Sequence, residues 1–295
     1  MLLDGRKVAN LRNEILKRKI KEENLKLKTV IVLVGDDPAS LIYVNSKIRA
    51  SKKVGIESDL VHLSSDTTDL ELTKLITELN EDSSVDGVLL QLPLPKHLDS
   101  KKFINLISYK KDIDGFTTIN QGKLFQDLPT IRPATPQGIL NLLDHYEIDV
   151  YGMDVCVVGR SQIVGLPTAK MLSDRNATVT ICHSETKDIS VFTKMADLIV
   201  VATGNANLIK ADMVKEGVII VDVGINRIDG KIVGDVDFAN VSKKAKYISP
   251  VPRGVGPMTI NALLENVYKI KRGFSLWIYG MILKKRELKQ IVLLQ

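Results

Sequence analysis

The sequence predicts an α/β protein of two domains with largely parallel sheets, on three observations. Helix-periodic and strand-like segments alternate along the chain. The strand-like runs are short, apolar and β-branched, and most end at glycine or a polar turn residue. A proline-rich stretch over residues 129–136 separates one such series from the next and predicts a hinge. At 295 residues there is room for two medium cores.

In chain order, residues 5–22 carry helical periodicity, with Val8, Leu11, Ile15 and Leu16 on one face. Residues 29–34 form a β-branched run ending at Gly35. Asp37 and Pro38 read as an N-cap followed by a first-turn proline, opening a helix that Gly55 can close. A strand over 57–63, a helix over 69–81 and a strand over 85–90 follow. Past the prolines the spacing predicts a helix over 137–146, strands at 155–158, 178–182, 198–202 and 218–222, and a helix over 260–272. No repeats or low-complexity tracts interrupt this order.

Composition excludes several classes. Apolar residues at 44% and charged residues at 26% are those of a globular protein. The cysteines number two, Cys156 and Cys182, both inside apolar strands; with no CxxC clip or disulfide framework, they predict buried thiols and a reducing, cytoplasmic setting. No signal peptide or membrane-length run is visible, so no membrane partner is expected. The net charge of +6 is spread rather than clustered, which argues against a nucleic-acid partner and fits attraction of small polyanions.

The most informative local feature of the second half is the run from Val155 through Gly159, Arg160, Ser161, Gln162, Ile163, Val164 and Gly165 to Pro167. A strand enters a glycine turn and a helix leaves it, presenting backbone N–H groups and a positive helix end to a dinucleotide pyrophosphate. Ser161 stands where the usual fingerprint has its middle glycine. The following strand ends at Cys182, where an adenosine ribose is expected, and His183, Ser184 and Glu185 come next. Ser184 and Arg160 suit a 2′-phosphate, which favours NADP; Glu185 repels one and keeps NAD open.

In the first half, Tyr43 and Lys47 lie four apart on one helix face. That spacing fits proton chemistry by a desolvated lysine, and equally a surface lysine snorkelling past a packed tyrosine. Gln91 sits at the carboxyl end of a predicted strand, before Leu92 and Pro93. Asp114, beside Gly115, can accept paired hydrogen bonds from an amidine-like ring edge or serve as a turn aspartate.

Taken together, Tyr43-Val44-Asn45-Ser46-Lys47, Gln91-Leu92-Pro93-Leu94-Pro95, Lys111-Asp112-Ile113-Asp114-Gly115-Phe116, Arg132-Pro133-Ala134-Thr135-Pro136-Gln137-Gly138, the Gly159–Pro167 turn, Asp222-Val223-Gly224-Ile225-Asn226 and the segment from Pro250 to Thr259 resemble the methylenetetrahydrofolate dehydrogenase/cyclohydrolase family. The resemblance runs to about Arg272. It implies a small α/β folate domain (residues 1–120 with 258–295), a Rossmann-like dinucleotide domain (121–257) and a cleft between them. It further implies oxidation of 5,10-methylenetetrahydrofolate to the 5,10-methenyl form and hydrolysis of that form to 10-formyltetrahydrofolate, within one-carbon metabolism.

By position, Lys47 matches the family's catalytic lysine, with Tyr43, Gln91 and Asp114 completing the catalytic set. Ser40, Tyr43, Gln91, Leu92, Pro93, Asp114 and Pro257 would line the folate. Gly159, Arg160, Ser161, Ile163, Val164, Gly165, His183, Ser184, Thr203, Gly224, Ile225 and Thr259 would meet the dinucleotide. The resemblance implies no metal and a homodimer.

This chain departs from the family pattern at Thr117-Thr118 (commonly His-Pro), Ala134 (often cysteine), Arg253 (usually glycine) and Glu185 (often basic). Residues 274–295 exceed what the resemblance needs, and their apolar run predicts a helix packed on the first domain. A tetrahydromethanopterin dehydrogenase would keep the dinucleotide turn without the Tyr43/Lys47/Gln91/Asp114 set, and a nucleotide sensor would not need Lys47.

Overall fold

The structure, a computed structural model, describes residues 1–273. The packed tail helix expected over 274–295 lies outside the described residues.

Helix α1 (Gly5–Glu22) starts where the Asp4 carboxylate accepts from the Lys7 N–H. Its inward face is Val8, Ala9, Leu16 and Ile20, while Leu11 is 41% exposed, against expectation. The middle turn gives its inner positions to Arg12 and Asn13, which bond Glu265 and Asn261. Strand β1 (Leu27–Val34) leads to α2 (Pro38–Val54), which opens and closes as its caps predict: Asp37 accepts from Ser40, Pro38 starts the helix, and Gly55 ends it at φ +88°.

Strand β2 (Ile56–Leu63), helix α3 (Asp69–Glu81) and strand β3 (Gly87–Leu90) complete a parallel sheet of order β2-β1-β3. The central strand is buried on both faces, hence its unbroken apolar run. The third strand begins two residues later than the pattern suggests, because the Val85 N–H is spent on a turn bond to Asp82.

Helices α4 (Ser100–Leu106), α5 (Thr118–Phe125) and α6 (Ala134–His145) follow. The proline stretch is therefore only partly a linker. Pro133 caps α6 and Pro136 sits in its first turn, where no N–H is required, so the helix starts three residues before the expected Gln137.

The second half contains β4 (Asp154–Val158), α7 (Gly165–Ser173), β5 (Thr178–Cys182), α8 (Ser190–Thr193), β6 (Leu198–Val201), β7 (Ile219–Asp222), β8 (Asn226–Ile228), β9 (Lys231–Val233), α9 (Phe238–Val241) and β10 (Tyr247–Ile248). Five of these strands form a parallel sheet of order β10-β7-β6-β4-β5. The other two make an antiparallel hairpin turning at Asp229 and Gly230, both at positive φ. Cys156 and Cys182 are buried in this sheet, and burial pushes both thiols up, away from reactivity.

Helix α10 (Val255–Arg272) begins five residues before the expected Ile260, with Pro257 in its first turn. Val255 and Met258 join the core of the second sheet; Ala262, Leu263, Leu264 and Val267 join the core under the first. It meets α6 so closely that a Cβ on Gly138 would stand 2.8 Å from the Met258 carbonyl carbon. At the other end of the chain, Leu2 pairs in parallel with Ile248, and the Leu3 N–H donates to the Ile248 carbonyl at 2.9 Å. Among the described residues no helix is long and apolar enough to cross a membrane.

Candidate active site

The first group of expected site residues gathers at the carboxyl end of the three-stranded sheet. Lys47, on α2, donates through Nζ to Oε1 of Gln91 at 3.0 Å. Gln91 directly follows β3, is 9% exposed, and turns its amide nitrogen onto the Leu92 carbonyl, which leaves its oxygen aimed at the lysine. Burial holds the Lys47 ammonium below the usual lysine range, and the charge of Asp114 opposes that shift. Burial likewise pushes the Asp114 carboxyl up to about 6; the Lys47 charge lowers it and the Asp112 charge raises it. A desolvated amine and a desolvated acid therefore feel each other across one site. Tyr43 is half-buried one turn before Lys47, and burial raises its phenol. Ser40 is buried a further turn back, Leu92 is half-buried, Pro93 is exposed, and Pro257 is half-buried.

Asp112, passed over by the sequence reading, builds the turn that carries Asp114. It is 3% exposed and accepts from the N–H groups of Gly115 (2.9 Å) and Thr117 (2.8 Å) and from Nδ2 of Asn120 (2.9 Å). Gly115, at φ +73°, is pressed against the backbone between Arg132 and Pro133, with no room for a Cβ.

The second group lies at the carboxyl end of the five-stranded sheet, where open parallel sheets take their ligands. A Cβ on Gly159 would stand 2.3 Å from the Ala202 carbonyl oxygen, and one on Gly165 2.1 Å from the Gly159 oxygen. Only glycines let strand, turn and helix close this tightly, so the cradle fits a dinucleotide pyrophosphate. One detail differs from expectation: the N–H groups of Val164 and Gly165 are met by the Ser161 hydroxyl oxygen at 3.2 and 3.3 Å. Ile163 is half-buried and Arg160 exposed beside them.

At the end of β5, His183 accepts through Nδ1 from the Glu185 N–H. The Ser184 hydroxyl donates to the Glu185 carboxylate at 3.1 Å, so the hydroxyl expected to face a 2′-phosphate is engaged by the neighbouring acid. Thr203 gives both its N–H and its hydroxyl to Asp235. Gly224 is buried, Ile225 is 45% exposed, and the Thr259 hydroxyl bonds Thr135, joining α10 to α6.

Two residues connect the groups. Gln121 donates through Nε2 to the carbonyls of Gly115 and Gln162, each at 3.2 Å, spanning from the Asp114 turn to the glycine turn. Arg227, on the hairpin, lies near enough for its charge to be felt by Asp37 and Tyr43.

The match to known proteins is extensive. Residues 3–114 match the tetrahydrofolate dehydrogenase/cyclohydrolase catalytic domain, and residues 133–274 match its NAD(P)-binding domain. A bifunctional protein FolD from Acholeplasma laidlawii is 53% identical over 270 residues, 92% of this chain and 98% of that protein. The chain belongs to the tetrahydrofolate dehydrogenase/cyclohydrolase family. The crystal structure of the Campylobacter jejuni FolD, a methylenetetrahydrofolate dehydrogenase/cyclohydrolase, shares 50% identity and a TM-score of 0.90, with 92% of this chain and 98% of that one covered. A Trypanosoma brucei member, solved with NADP and an inhibitor, shares 32% identity and a TM-score of 0.88 over 92% of this chain and 97% of that one.

Within this family frame, the residues the sequence reading missed are Asp112, Gln121 and Asp235. The first was visible as the earlier acid of an Asp-x-Asp-Gly turn. The other two carry no motif, and each has a partner far along the chain, Gln162 for Gln121 and Gly204 for Asp235.

Proposed function

We propose that this chain oxidises 5,10-methylenetetrahydrofolate with NADP and hydrolyses the resulting 5,10-methenyl form to 10-formyltetrahydrofolate at one site. The observation that carries this reading is the Lys47–Gln91 contact beside Asp114, with the amine and the acid both desolvated. The catalytic half comprises residues 1–120 with 258–295, and the dinucleotide half residues 121–257.

Asp114 accepts the donor edge of the pterin, and half-buried Tyr43 packs along the folate. Ser40, Leu92, Pro93 and Pro257 complete the wall. The dinucleotide, when bound, supplies the hydride acceptor. The protein's part in that step is alignment, because a hydride passing between two carbons needs little acid–base help. Gly159, Arg160, Ser161, Ile163, Val164 and Gly165 hold the pyrophosphate; His183 and Ser184 meet the adenosine ribose; Thr203, Gly224, Ile225 and Thr259 border the nicotinamide half.

In the hydrolytic step water adds to the amidinium carbon and must lose a proton. Burial and a cationic substrate both oppose the charge of Lys47, and its neutral form takes that proton on Nζ, while the Gln91 contact fixes the direction of the amine. The bond from that carbon to N5 then breaks as the adduct's hydroxyl becomes the formyl carbonyl, its proton passes to N5, and the proton held on Nζ leaves to solvent.

NADP over NAD is supported by Arg160, exposed in the glycine turn, and by the NADP complex of the Trypanosoma brucei relative, whereas the Ser184 hydroxyl donates to Glu185. A homodimer is supported by the unpaired edge of β5, where Ile181 is exposed, with Val191 and Met195 exposed just beyond the strand. The proposed setting is cytoplasmic, in keeping with buried thiols and no membrane helix among the described residues. The test is absorbance-monitored formation of methenyltetrahydrofolate with each nicotinamide cofactor, followed by its decay on hydrolysis. Absence of both reactions in the folded protein overturns the reading.

A further inference from the structure

Two buried carboxylates close the far side of the second sheet. Asp222 ends β7 at 3% exposure, and Asp235, two residues past β9, is fully buried. Oδ1 of Asp222 accepts from the N–H groups of Gly224 at 2.9 Å and Asp235 at 3.0 Å, and Oδ2 from Val236 at 3.0 Å. Oδ2 of Asp235 accepts from the Thr203 N–H at 2.7 Å, the Thr203 hydroxyl at 2.9 Å and the Gly204 N–H at 2.9 Å. Its Oδ1 accepts from Nδ2 of Asn226 at 2.8 Å.

Three donors converge on Oδ2 and one on Oδ1, so this single carboxyl group ties the loop after β6 to the hairpin. The backbone has shut around the pair. A Cβ on Gly224 would stand 2.1 Å from Asp235 Oδ1, and one on Gly234 1.9 Å from Asp222 Oδ2. Hydrogen alone fits at either place.

The donors to Asp235 come from two segments, the loop after β6 and the start of the hairpin after β7. Sheet order says what those segments face. With the glycine turn after β4 taking the pyrophosphate and the end of β5 taking the adenosine ribose, β6 and β7 lie on the opposite side of β4. That side is left for the nicotinamide half. Resting on the proposed dinucleotide site, we infer that Asp235 is a positioning residue for the dehydrogenase step: it locks the Thr203–Gly204 and Gly224–Asn226 segments into the wall that orients the nicotinamide half of the dinucleotide. Asp222 acts behind it, fixing Gly224 and the Asp235 backbone. Because Thr203 spends both of its donors on Asp235, it shapes this wall without donating to the ligand.

Asp235→Ala removes both oxygens that accept these four hydrogen bonds. It is expected to raise KM for NADP at least tenfold, while hydrolysis of supplied methenyltetrahydrofolate stays within twofold of wild type. Should Asp235→Ala fail to fold, Asp235→Asn retains the shape and is expected to raise the same KM by severalfold. Adding Asn226→Asp to Asp235→Asn restores a donor facing a carboxylate and is expected to recover part of that loss. A folded Asp235 variant with KM for NADP within twofold of wild type, or one that loses both activities in proportion, overturns the inference. Calorimetric titration of the wild type with NADP separates the two levels. A wild type without NADP affinity sinks the proposed function as well, whereas a binding wild type beside unaltered variants sinks only the role of Asp235.

Discussion

Lys47 and Gln91, 44 residues apart in sequence, meet at 3.0 Å with the lysine donating to the amide oxygen. This contact fixes the direction of a desolvated amine whose pKa burial lowers. Lys47→Ala is therefore expected to cut the hydrolysis of methenyltetrahydrofolate by roughly 10²–10⁴-fold, the usual contribution of a positioned acid–base group. Dehydrogenase activity should fall much less. Stopped-flow absorbance of both reactions checks this, and near-wild-type hydrolysis by a folded variant counts against the role.

Burial pushes the Asp114 carboxyl up to about 6. The ionised form accepts hydrogen bonds, so protonation weakens the grip on paired ring donors. Folate affinity is expected to fall as pH drops from about 7 to about 5, as the carboxyl gains its proton. Asp114→Asn should bind folate weakly with a flat profile over that window, and leave NADP binding unaltered. Equal folate affinity in the variant would place the anchor elsewhere.

The exposed acid beside the expected 2′-phosphate position, Glu185, accepts from the Ser184 hydroxyl at 3.1 Å. Glu185→Ala releases that hydroxyl and removes one exposed negative charge. Exposed charge pairs are worth about 0.2–1 kcal/mol, so KM for NADP should fall by up to roughly fivefold at low salt. The gain should shrink as salt rises, and KM for NAD should hardly move. Steady-state kinetics at two ionic strengths measures it; an unchanged NADP preference at both refutes the assignment.

Arg253 holds φ at +90° and is exposed, while its carbonyl accepts from the Arg6 N–H at 2.9 Å. The backbone is thus fixed in a region that disfavours any side chain, and glycine is the natural occupant. Arg253→Gly is expected to gain about 1 kcal/mol after the entropy cost of glycine, a rise of a few degrees in Tm. Scanning calorimetry tests the sign. A lower Tm would mean that the guanidinium makes a compensating contact.

What could be read from the sequence followed the range of the physics involved. The second helix matched its expected caps because Asp37, Pro38 and Gly55 each act within the turn they cap, and the third spans its expected residues, opened by a Thr68–Glu71 capping box. The hairpin over Asn226–Val233 and the two-residue β10 escaped notice, since strands so short carry no periodicity. Leu11 was misplaced because Arg12 and Asn13 take inner positions through partners some 250 residues on. At the site, Tyr43 and Lys47 share a helix face by spacing, but that spacing fits a solvated lysine as well. Their setting beside Gln91 and Asp114 was legible only through family resemblance. Asp235 was invisible to both, because its donors come from residues 203, 204 and 226.

The pairing of Leu2 and Leu3 with Ile248 has a consequence for biosynthesis. During synthesis, Leu2 and Leu3 wait for a strand made some 245 residues later. The catalytic half in turn lacks one wall of its core until α10, later still, has been synthesised. Co-translational folding of the first sheet as a finished unit is thereby barred, and the nascent chain must shield Ile31, Leu33 and their neighbours until α10 has emerged. A protein laced together in this way cannot shed either half by a single proteolytic cut, and its two active surfaces are inherited, made and lost together.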